Sequence, residues 1–145
     1  MKAGSRFPQT WWPVALYACV ILTATSIPSD RLALVGDLAV SDRWAHMLLY
    51  VPLAMLVFSR LRHVYSALPL PYLAVATVLL CTAFGVLDEL HQLFIPGRFC
   101  DAADVAADMA GALVGAGASL LLLRLRVRPR YDAYMQASKS QQHKR

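Results

Sequence analysis

Four apolar stretches separated by short polar connections organise this chain. They cover residues 11–27, 42–58, 68–87 and 105–123. Each has, or nearly has, the roughly 20 apolar residues that a helix needs to cross the hydrocarbon core of a bilayer. No strand-like alternation appears between them, and a helix satisfies its own backbone in lipid. The pattern predicts an all-α polytopic membrane protein with four transmembrane helices. The first stretch opens on Trp11 and Trp12, side chains that favour the membrane–water interface. Pro13 stands in its first turn, where a missing N–H costs little. The second stretch is the least apolar, because it contains His46 and Tyr50.

Composition points the same way. Hydrophobic types make up 58% of the 145 residues and charged types 16%. Soluble domains carry about 45–50% and about 25% respectively. A soluble globule is disfavoured and a disordered chain is excluded. The length suits one domain: a cytoplasmic N-terminus over 1–10, a membrane domain over 11–125 and a basic tail over 126–145, expected to be disordered. No internal repeat is present.

The net charge of +5 takes its meaning from where the cations stand. Lys2 and Arg6 precede the first stretch, Arg60 and Arg62 follow the second, and seven more lie from Arg124 onward. The opposite side holds Arg31, Arg43 and Arg98. The positive-inside rule therefore predicts that both termini are cytoplasmic, and nucleic acid is not an expected partner. The acids are sorted the other way, with Asp132 alone on the cytoplasmic side. Ala24-Thr25-Ser26 is a passable signal-peptide cleavage site, but the apolar stretch before it is long for that role, so we read a retained helix. Cys19, Cys81 and Cys100 form no disulfide framework.

Three segments bring ionisable groups to the outer boundary. Asp42, His46 and Tyr50 are spaced by four and form one stripe on the second helix. An imidazole about one turn inside must find a partner or a water-filled cleft. Asp88, Glu89, His91 and Gln92 close the third helix, where the macrodipole disfavours acids. Pro96-Gly97 marks a turn, Arg98 follows, and Asp101 is placed to cap the last helix. Asp104 and Asp108 then continue on the same face as Gly111 and Gly115, a GxxxG step that permits close helix contact. The candidate binding pocket is thus Asp42, Arg43, His46, Glu89, Gln92, Arg98, Asp104 and Asp108. Carboxylates with a histidine suit acid–base work, which makes His46 and Glu89 the catalytic candidates. Arg43 and Arg98 suit a phosphate or carboxylate, with Asp104 and Asp108 orienting them. No H-x-x-x-H or H-E-x-x-H spacing occurs, so neither a metal nor a cofactor is expected.

The order Asp42-Arg43-Trp44-Ala45-His46, Glu89-Leu90-His91-Gln92, Pro96-Gly97-Arg98 and Asp104 to Gly111 resembles the VanZ-like family of small bacterial integral membrane proteins. The resemblance covers roughly residues 27–123. Two positions depart from it: Arg43 stands where lysine is common in the family, and Asp108 where asparagine is common. The resemblance implies a multi-pass protein of the bacterial inner membrane. It also implies a link to low-level teicoplanin resistance, acting at the cell envelope, without an agreed reaction. The expected partners are membrane lipid and a lipid-linked envelope precursor. Three functional classes fit: a binding protein for an envelope component, an enzyme acting on a lipid-linked precursor, and a structural or adaptor protein. A transporter would need polar groups along its whole path, for which Thr77 and Ser119 are the main candidates.

Overall fold

In the computed structural model, residues 10–27 and 42–142 are described, with the side chains of 42 and 127–142 left outside that description. The described chain is four helices: α1 (Trp12–Thr25), α2 (Asp42–Val64), α3 (Leu70–Gln92) and α4 (Ala102–Gln142). No strand occurs among the described residues. At about 1.5 Å per residue, the 23 residues of α2 and of α3 each reach about 35 Å, enough to cross a hydrocarbon core of about 30 Å. Residues Ala102–Arg126 of α4 are likewise long and apolar enough. The 14 residues of α1 form a shorter apolar helix of about 21 Å. This is an all-helical membrane protein with three helices of spanning length and one shorter apolar helix.

The helix ends follow local chemistry. Pro13 sits in the first turn of α1 and Pro71 in that of α3, where no intrahelical donor is lost. Pro69, in extended conformation, precedes α3 and separates it from the turn that ends α2. Past α3 the chain turns at Gly97, which takes φ 77°, a left-handed conformation that glycine adopts without steric cost. Asp101 then caps α4: its Oδ1 accepts the Ala103 N–H at 2.8 Å. The backbone of α4 stays helical to Gln142, through much of the segment expected to be disordered. Extending an established helix costs far less than nucleating one, which carries α4 past Pro129 into the Ala-, Gln- and Lys-containing tail.

The packing is inside-out relative to a soluble protein. Val75, Leu79 and Leu87 of α3 and Leu113 and Leu121 of α4 are exposed, while His46, Asp88, Glu89, Gln92 and Asp108 are buried. An apolar core of Ile21, Tyr50, Leu53, Phe58, Leu73 and Ala112 joins all four helices. The closest approach is between α2 and α4. A Cβ at Gly111 would run into the Met47 carbonyl oxygen, and one at Gly115 into that of Val51. The GxxxG face is thus where α4 lies against the α2 backbone. At the far end of α2, Arg60 stacks over the Trp11 ring, 5.5 Å from its centroid.

Candidate functional site

The site lies where the N-terminal ends of α2 and α4 meet the C-terminal end of α3. Helix periodicity puts His46 one turn into α2, on the same face as Tyr50, and both are buried. Glu89 and Gln92, three apart, share a buried face of α3. Asp104 and Asp108, four apart, do the same on α4.

The hydrogen bonds form a chain across the three helices. His46 Nδ1 lies 3.0 Å from Asp108 Oδ1, with 1% and 0% of the two side chains exposed. His46 Nε2 is 3.4 Å from Gln92 Nε2. Gln92 Nε2 donates to Glu89 Oε1 at 3.1 Å. Glu89 Oε2 accepts the Asp101 backbone N–H at 2.7 Å, which ties the end of α3 to the cap of α4. A carboxylate beside Nδ1 favours the tautomer that carries its proton there, leaving Nε2 with its lone pair. Among the described residues, Asp88 Oδ2, Asp108 Oδ2 and Tyr50 Oη are buried without a hydrogen-bond partner. Two carboxylate oxygens and one hydroxyl, itself a potential donor, are thus left unsatisfied.

Of the residues expected to line the pocket, His46, Glu89, Gln92, Asp104 and Asp108 come together. Arg43 lies at the surface, where it donates to Asp101 Oδ2 at 3.4 Å. Asp108 thus pairs with the buried histidine, not with an arginine as its charge had suggested, because it faces α2 one turn below Arg43. Arg98 is half-buried at the rim and its Nε donates to the Ile27 carbonyl oxygen at 3.3 Å. Asp42 opens α2, and its side chain lies outside the described residues. Asp101, at the rim, has its carboxyl held below the usual carboxylate range by the Ala103 N–H and by Arg43.

Sequence reasoning missed the contribution of α1. Thr25 Oγ1 donates to Asp88 Oδ1 at 2.8 Å, and Ser26 Oγ lies 3.0 Å from His91 Nε2. These two hydroxyls pin α1 to the polar end of α3. The one available signal was a Thr-Ser pair at the end of an apolar run, which resembled a cleavage site. Within the expected pocket the structure singles out one set that sequence spacing did not mark for metal. One donor atom each from His46, Glu89 and Asp104 lie within 4.8 Å of one another, and all three residues are buried. Local spacing could not reveal this set, because each residue comes from a different helix. Thr77 and Ser119 are buried but donate to carbonyls of their own helices, Leu73 and Gly115, at 2.8 Å each. They supply no polar path through the bundle.

A family model described as VanZ/LLP1 matches residues 7–124. No curated protein and no solved structure matches the chain.

Proposed function

The chain belongs to the VanZ/LLP1 family, and we propose that it is a multi-pass protein of the bacterial inner membrane that binds the polar head of an envelope component. Both termini lie in the cytoplasm, and the polar cluster faces outward. The excess of Lys and Arg in the sequence segments that flank the opposite helix ends supports this orientation. The observation that carries the reading is the convergence of buried His46, Glu89, Gln92, Asp104 and Asp108 from three helices of spanning length. Burying ionisable groups at membrane depth is costly, and such groups by default mark sites.

In this reading the component is anionic, as a lipid-linked precursor is. Arg43 and Arg98 engage it at the rim, since guanidinium matches the geometry of phosphate and carboxylate. His46 and Glu89 lie behind them and exchange hydrogen bonds or protons with it. The link to teicoplanin-type resistance follows if that component is part of cell-wall assembly.

A second reading, a purely structural network, is favoured by the hydrogen bonds that join α2, α3 and α4 to one another. One experiment separates the two. Glu89→Gln, Arg98→Ala and Asp104→Asn are expressed singly, and membrane insertion and teicoplanin susceptibility are measured together. The binding reading expects the phenotype to fall while insertion stays normal. Three variants that insert normally and match wild type in susceptibility would sink it.

A further inference from the structure

We propose that His46, Glu89 and Asp104 form a site for a divalent cation, with zinc the best chemical match, and that Asp108 is the outer carboxylate that holds the histidine. The three donor atoms lie within 4.8 Å of one another. Zinc binds nitrogen and oxygen ligands at about 2.0–2.2 Å in tetrahedral geometry, which sets two donors on one ion about 3.3–3.6 Å apart. Closing from 4.8 Å to that spacing would need the three side chains to turn toward the ion and the Gln92 amide, which bridges His46 and Glu89, to give way. One imidazole and two carboxylates also match the donors that zinc accepts.

Two further features point to a cation. His46 presents Nδ1 to the buried Asp108, the carboxylate–histidine pairing that orients a metal-binding imidazole through its other nitrogen. Four carboxylates, Asp88, Glu89, Asp104 and Asp108, are also buried at this end, and Asp88 Oδ2 and Asp108 Oδ2 lack hydrogen bonds. A buried carboxyl stays ionised only when it is paired or beside a metal, so a cation held by His46, Glu89 and Asp104 would keep these groups in the charged form that ligates it. The inference deepens the reading of the same cluster as a binding site, because a bound cation would hold a phosphate or carboxylate oxygen of the envelope component. The expectation of no metal came from local spacing, which cannot register donors on three helices.

The test uses the full chain, purified in detergent and stripped with chelator, and titrates zinc against a competing chromogenic indicator without lipid. The expected result is one zinc per chain and a rise in thermal midpoint on adding zinc. His46→Ala, Glu89→Gln and Asp104→Asn should each weaken binding at least about tenfold, and Asp108→Asn about 10–100-fold. His63→Ala, at the exposed far end of α2, should bind as wild type does. Absence of stoichiometric zinc in the wild-type protein overturns the proposal, whatever the variants do. So does unchanged affinity in folded Glu89→Gln and Asp104→Asn. Because zinc is read without lipid, a protein that binds zinc but shows no susceptibility phenotype refutes the envelope reading alone.

Discussion

Glycine at 111 is where α4 meets α2, and replacing it measures how tightly that seam is closed. In Gly111→Ala the new Cβ meets the Met47 carbonyl oxygen at less than contact distance and the Tyr50 Cβ at 3.0 Å. The first is backbone and cannot rotate away, so the two helices must separate. Overpacking of this kind costs about 1–3 kcal/mol. An alanine in a helix interior gains about 0.5–1 kcal/mol over glycine, and this must be removed to see the clash. Gly117 supplies the reference, because a Cβ there meets nothing within 4 Å and α4 carries both positions. Gly117→Ala should therefore be slightly stabilised, and Gly111→Ala should lie about 1–3 kcal/mol below it, which is the overpacking cost alone. Thermal unfolding of the two variants and wild type in the same detergent, followed by near-ultraviolet circular dichroism, reads the difference. Equal midpoints for Gly111→Ala and Gly117→Ala would refute the close α2–α4 contact and the geometry that places Asp108 against His46.

Thr25→Val removes the hydroxyl bonded to Asp88 and leaves that buried carboxyl bare, so thermal unfolding should show a loss of about 1–3 kcal/mol, with Thr25→Ser near wild type. An unchanged midpoint in Thr25→Val means that α1 is not pinned through this bond. Asp101 should give a pH signature. Its folded value lies below the unfolded value of about 3.9, so its contribution is fully present above that pH and is lost as pH falls through the folded value. The stability gap between wild type and Asp101→Ala should stay level above about pH 5 and narrow below about pH 4; a gap that holds constant through that range counts against the cap.

How much was legible in advance differs from one residue to the next. The Asp101 cap, the turn at Gly97 and the shared face of Asp104, Asp108, Gly111 and Gly115 follow from rules that act within a few residues. The convergence of His46 with Glu89 and Asp108 needed one further premise: membrane-length helices alternate in direction, so their polar ends meet at one depth. The partner of Asp108 was not legible. Arg43 and His46 stand on successive turns of α2, and only the rotation of α4 about its axis decides which of them the carboxylate reaches. Thr25 was missed because its meaning depends on where α1 docks, and nothing local to it records that.

The sequence by itself determined the environment, the helices and which faces carry charge. These are set by hydropathy and by 3.6-residue periodicity, both properties of contiguous residues. The tertiary structure decided the partners. The Gly111–Gly115 seam brings α4 against α2 closely enough for Asp108 to reach His46. The cap at Asp101 draws Glu89 toward α4, and the approach of α1 gives Asp88 its hydroxyl. Each of these contacts joins residues far apart in the chain, and their distances depend on how helices rotate and pack, which no local pattern encodes.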